Sequence, residues 1–139
     1  MAGEKIFIVD DDPDMVEALR LPLEAKGYQV SQAGSAKEAL ERIHEVAPDL
    51  VILDVMMETD TAGFQAAYQL RNPPEGASYA AYSKVPILML TAIGTEKRMT
   101  FSPETDGEYL PVDAFLEKPV RPEVLLERVA SLLEGDGGK

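Results

Sequence analysis

Short aliphatic runs alternate with amphipathic stretches along this chain, and four of the runs end on a polar residue. Ile6-Phe7-Ile8-Val9 leads into Asp10-Asp11-Asp12, and Leu50-Val51-Ile52-Leu53 leads into Asp54. Ile87-Leu88-Met89-Leu90 leads into Thr91, and Ala114-Phe115-Leu116-Glu117 leads into Lys118-Pro119. Short β-branched and aliphatic runs bounded by turn or helix signals read as buried strands of a parallel sheet. Strands alternating with helices imply βαβ units and right-handed crossovers, so the chain reads as an α/β fold. In open α/β sheets, ligands bind outside the carboxyl ends of the strands. Three acids, a hydroxyl and a lysine would then share one edge of one sheet.

The spacing predicts each element. Asp12 serves as N-cap and Pro13 as first residue of a helix whose apolar face is Met15, Val16, Leu19 and Leu23, ended by Gly27. Pro22 within it removes the bond to Ala18, which predicts a kink or break. Tyr28 to Ala33 reads as the second strand. Ser35-Ala36-Lys37-Glu38 is a capping box opening a helix with Ala39, Leu40 and Ile43 inward. A third helix is expected over Phe64 to Arg71, then a polar, tyrosine-bearing loop to Lys84, a strand from Val85 to Leu90 and a fifth from Asp113 to Leu116. A last helix begins near Pro122 and buries Val124, Leu125, Val129 and Leu132. Between Thr95 and Pro111 the turn signals Ser102-Pro103, Asp106-Gly107 and Leu110-Pro111 argue against a long helix.

The 139 residues suit one domain, with a core over 4–134 and a flexible glycine-rich tail over 135–139. No apolar stretch approaches the roughly 20 residues of a membrane span, and no secretory signal opens the chain. Without cysteine there is no disulfide, thiolate metal site or thiol nucleophile. These features point to a cytoplasmic protein. A net charge of −12 argues against direct nucleic-acid binding by this chain.

At the sheet edge, two carboxylates about 4 Å apart repel by roughly 4 kcal/mol at an effective dielectric of 20, unless a cation or lysine neutralises them. A hard Mg²⁺ suits two or three carboxylates, a backbone carbonyl and water. An aspartate there can attack a phosphoryl group to give an acyl phosphate, and a hydroxyl such as Thr91 can donate to a phosphate oxygen.

These residues carry a resemblance. The chain resembles the response regulator receiver domain, the CheY-like family of two-component signalling, over nearly its whole length. The motifs are Ile8-Val9-Asp10-Asp11-Asp12-Pro13-Asp14, Pro48-Asp49-Leu50-Val51-Ile52-Leu53-Asp54-Val55-Met56-Met57, Leu88-Met89-Leu90-Thr91-Ala92 and Phe115-Leu116-Glu117-Lys118-Pro119. The resemblance implies a flavodoxin-like, doubly wound five-stranded parallel sheet of order 2-1-3-4-5. It implies Asp54 as phosphoacceptor, and Asp10, Asp11, Asp54 and the Met56 carbonyl as Mg²⁺ ligands. Thr91 matches the hydroxyl that turns toward the phosphoryl group, Lys118 the lysine that pairs with the phosphate, and Lys118-Pro119 the family's usual cis peptide bond. Phe115 matches an aromatic switch, with plain core as its other reading. The implied partners are a sensor histidine kinase or phosphotransfer protein and an unnamed downstream protein, with the chain a monomer or weak dimer. No enzymatic turnover is implied beyond the domain's own phosphotransfer and dephosphorylation.

The pattern departs from the family in places. Glu58 stands where a proline is usual, and Gly63 comes one residue late. The interval between Thr91 and Lys118 predicts an irregular or shortened fourth helix and a remodelled output face offering Phe101, Tyr109 and Leu110. Two other readings compete. A haloacid-dehalogenase-type phosphatase would use Asp10 as nucleophile and Asp12 as acid/base, but leaves Asp54 idle and lacks a later acidic pair for Mg²⁺. A receiver-like interaction domain that never carries phosphate would not need its complete acid set. His44 reads as a surface residue, and Asp12 as a helix cap rather than a metal ligand.

Overall fold

A computed structural model describes residues 3–54, 62–77, 79–91, 113–118 and 120–134. Five parallel strands form one sheet: β1 (Lys5–Val9), β2 (Gln29–Ala33), β3 (Leu50–Asp54), β4 (Ile87–Thr91) and β5 (Ala114–Glu117), in the order β2-β1-β3-β4-β5. This is the order and direction expected. The described helices are α1 (Pro13–Ala25), α2 (Ala36–Val46), α3 (Ala62–Arg71) and α4 (Pro122–Leu133), with a 3-10 turn over Ala80–Tyr82. The expected irregularity between Thr95 and Pro111, and the face built on Phe101, Tyr109 and Leu110, lie outside the described residues. So does the tail over 135–139.

The central strands β3 and β4 are buried along their full length, as continuous aliphatic runs require when helices cover both faces. Side chains alternate between two cores. Phe7, Val9, Val51, Leu53, Ile87 and Met89 pack on one face with Ala39, Ile43, Ala66, Ala67 and Leu70 of α2 and α3. Ile6, Ile8, Leu50, Ile52, Leu88 and Leu90 pack on the other with Val16, Leu19 and Leu23 of α1 and Leu125, Val129 and Leu132 of α4. Val124 is half-buried beside this second core.

Local chemistry sets the helix ends. The Asp12 carboxylate accepts from the Asp14 amide at 3.0 Å, with Pro13 as first helical residue. α1 ends in a Schellman motif: the Gly27 amide donates to the Glu24 carbonyl at 2.9 Å and the Tyr28 amide to the Leu23 carbonyl at 3.2 Å. Gly27 has φ +96°, and Tyr28 and Leu23 meet in the same core. Of the kink or break expected at Pro22, the break does not occur: α1 runs on through it. Pro22 stands in the last turn, so only one helical bond is lost, and Ala18, whose carbonyl is released, is exposed to water. Ser35 accepts from the Glu38 amide at 3.0 Å, while the Glu38 carboxylate accepts from the Gly34 amide at 3.0 Å. The box thus closes one residue earlier than its standard form. The loop expected between α3 and β4 holds the 3-10 turn, because Tyr79 and Tyr82 are drawn against the α2–α3 core.

Two strand entries share a device. Asp49, just before β3, donates its amide to the Lys5 carbonyl at 2.7 Å and accepts the Lys5 amide on its carboxylate at 2.8 Å. Asp113, just before β5, donates its amide to the Ile87 carbonyl at 2.9 Å and accepts the Ile87 amide at 2.8 Å. In each case the carboxylate stands in for a backbone carbonyl and pairing begins one residue early.

Candidate functional site

Register brings the polar strand ends together. Val9 pairs with Leu53, so the next residues, Asp10 and Asp54, leave adjacent strands at one level. Asp54 pairs with Leu90, Thr91 with Glu117, and the Lys118 amide donates to the Thr91 carbonyl at 2.7 Å. The carboxyl edge of β1, β3, β4 and β5 therefore holds Asp10, Asp11, Asp54, Thr91 and Lys118.

Carboxylate oxygens of Asp10, Asp11 and Asp54 all lie within 4.8 Å of one another. Asp10 is 2% and Asp54 5% exposed, whereas Asp11 is open to solvent. The Lys118 ammonium lies 3.2 Å from Asp54 Oδ1. One oxygen of Asp10 accepts the Asp12 amide at 3.0 Å. The other, Oδ2, is buried without a hydrogen-bond partner among the described residues, as is the Thr91 hydroxyl. Burial is the largest influence on the Asp10 carboxyl and pushes it up to about 6. The Asp12 amide opposes this, the Asp54 carboxylate adds to it, and the Lys118 ammonium draws it back.

Among the described residues three carboxylates face one ammonium here, an imbalance that a divalent cation would neutralise. A buried carboxylate oxygen with no protein donor is the kind of ligand atom a hard cation takes up. The donor set thus fits Mg²⁺.

All the predicted side chains that lie in the described residues meet at this edge except Phe115. That residue is half-buried one strand away, opposite Met89, on the sheet face it shares with Thr91 two positions further on. Met56, Glu58 and the bond between Lys118 and Pro119 lie outside the described residues. Asp12 caps α1 as expected and His44 is exposed. The sequence reading overlooked the Asp12 backbone, which orients Asp10. An aspartate two residues before an amide that must turn into a helix is the signal for that bond.

Comparison with known proteins gives a consistent picture. The response regulator receiver domain family matches residues 6–130. The chain is 32% identical over 130 residues to the DNA-binding response regulator MtrA of Mycolicibacterium smegmatis, covering 94% of this chain and 50% of that protein. It is 31% identical over 137 residues to the phosphate regulon transcriptional regulatory protein PhoB of Pseudomonas aeruginosa, covering 99% of this chain and 55% of that protein. The chain spans about half the length of these curated relatives. Among solved structures, the chemotaxis response regulator CheY4 of Vibrio cholerae superposes with a TM-score of 0.73 at 28% identity, over 94% of this chain and 99% of that one.

Proposed function

This chain belongs to the response regulator receiver domain family, and from that premise we propose that Asp54 is its phosphoacceptor, charged by a sensor histidine kinase or phosphotransfer protein. The observation that carries the proposal is the convergence of Asp10, Asp11 and Asp54 within 4.8 Å, with Lys118 3.2 Å from Asp54. A carboxylate oxygen of Asp54 attacks the phosphorus of a phosphohistidine. The P–O bond forms as the P–N bond breaks, and the imidazole leaves with a proton from solvent. Lys118 exchanges its Asp54 partner for a phosphoryl oxygen, and the Thr91 hydroxyl, which has no hydrogen-bond partner among the described residues, donates to another. Asp10, Asp11, Asp54 and the Met56 carbonyl would hold Mg²⁺, which offsets charge on the transferring phosphoryl oxygens.

The acyl phosphate adds about −1.5 to −2 charges and three acceptor oxygens. Thr91 and Phe115 share a sheet face, which supports a coupled movement of hydroxyl and ring as the switch. Reversing such a two-state element takes roughly 5.5 kcal/mol of differential stabilisation. The domain's chemistry is confined to its own phosphotransfer and dephosphorylation. Its setting is the cytoplasm, its output a downstream protein, and its form a monomer or weak dimer. No described helix is long and apolar enough to cross a membrane. A net charge of −12 opposes direct binding of nucleic acid by this chain itself.

The test is intact mass after incubation with acetyl phosphate, with and without Mg²⁺, for the native chain and Asp54→Asn. A Mg²⁺-dependent gain of one phosphoryl group, absent in the variant, is expected. Beryllofluoride binding in the same run covers an adduct hydrolysed too fast to trap. Silence in both sinks the phosphoswitch.

A further inference from the structure

The two strand-entry aspartates are chemically alike, but the strands they start are not. β3 is buried at every position and is flanked by β1 and β4, so its register is dictated by both cores. β5 is four residues long, lies at the edge of the sheet, and fully buries only Leu116. Hydrophobic pattern alone specifies such a strand weakly. At its entry, however, the Asp113 carboxylate takes the Ile87 amide and also the Arg71 guanidinium at 2.7 Å. Arg71, the last residue of α3, additionally donates to the carbonyls of Ser83 at 3.0 Å and Val85 at 2.7 Å. The side chains of Arg71 and Asp113 are 20% and 30% exposed, so the charge-assisted bonds are partly shielded. One guanidinium thus ties the end of α3 to the approaches of both β4 and β5.

At the other end of β5 the Lys118 amide reaches the Thr91 carbonyl and the ammonium reaches Asp54. A slip of one residue would carry Lys118 about 3.3 Å along the strand and turn Phe115 to the opposite face. That displacement is as large as the present ion-pair distance of 3.2 Å. We propose that Asp113, braced by Arg71, is a positioning residue for the phosphoryl site: it sets the β5 register about 16 Å away and so delivers Lys118 to Asp54. Asp49 makes the same backbone exchange without this consequence, because the register of β3 is already fixed by pairing on both sides and by both cores.

The experiment joins two readouts on the intact chain: amide hydrogen exchange by NMR, and the rate of Mg²⁺-dependent phosphorylation by acetyl phosphate. The second readout rests on the function proposed above. In Asp113→Ala and Arg71→Met, protection of the Lys118 amide falls roughly tenfold or more relative to β1 amides of the same sample, and phosphorylation slows by roughly tenfold. Asp113→Asn, which keeps an acceptor for Ile87, gives a smaller loss, and Asp49→Ala leaves the Lys118 amide as it was. In a double-mutant cycle, Asp113→Ala has no further effect on the phosphorylation rate once Lys118→Ala is present, whereas a merely structural role would give additive losses. Unchanged Lys118 protection in both Asp113→Ala and Arg71→Met, or additivity in the cycle, overturns the proposal. If the native chain takes up no phosphoryl group, the proposed function fails while the amide readout still decides the register.

Discussion

At Asp10 the carboxyl sits in conflict with its surroundings. Burial and the Asp54 charge favour the protonated form, while the Asp12 amide and Lys118 favour the ion. With its folded value pushed up to about 6 from an ordinary 3.8, this group holds more protons folded than unfolded between those limits. Its contribution to stability in metal-free protein is therefore greatest below about pH 4 and declines as pH rises through 6. A divalent cation held at this site would reverse that cost, because a neighbouring positive charge favours the ionised carboxylate. Thermal unfolding in Mg²⁺ against chelator should show a larger rise in Tm at pH 7.5 than at pH 5. Saturation a hundredfold above Kd corresponds to about 2.7 kcal/mol. An equal rise at both pH values would show that Asp10 is not among the groups the cation engages.

At the scale of the element, the caps and stops do most to hold each helix in place. The Ser35 hydroxyl and Glu38 carboxylate each satisfy an amide at the start of α2. Glu38 is held below the usual carboxylate range chiefly by the Gly34 amide and then by Arg42. Ser35→Ala should cost about 1 kcal/mol in urea denaturation, by orphaning the Glu38 amide. A null effect would mean water replaces the hydroxyl without loss. Pro22 teaches the converse. Read locally it is a breaker, but in the final turn, with Leu19 and Leu23 of the same helix buried in the core, tertiary packing outweighs one missing bond.

At the scale of the molecule, one sheet separates two cores, and both must be full for the polar edge to keep its register. Leu125 of α4 is 1% exposed and packs against the face that carries β1 and β3. Leu125→Ala should destabilise the chain by about 2–5 kcal/mol with an unchanged denaturant slope. A changed slope would mean that α4 detaches separately from the sheet. The same architecture explains why Asp54 and Lys118, far apart in sequence, face one another. Each strand delivers its last residue to the same edge, and the pairing register decides the level at which it arrives.

Much of this protein follows from its sequence because the governing physics is local or periodic. Strand runs, amphipathic faces, the Asp12–Pro13 start, the Gly27 stop and the polar residue after each strand all depend on neighbours a few positions away. Parallel order and a shared carboxyl edge follow from strand–helix alternation and the handedness of crossovers. Tertiary structure alone decided the rest. Pro22 stays in its helix because of what lies beneath it, and Tyr79 and Tyr82 turn inward to pack against the core under α2 and α3. Asp10 is strained by its burial and by Asp54, a residue of another strand. Arg71 and Asp113 meet across a long stretch of chain at an edge strand too short to choose its own register. No window of sequence contains that pair, since only folding brings its two ends together.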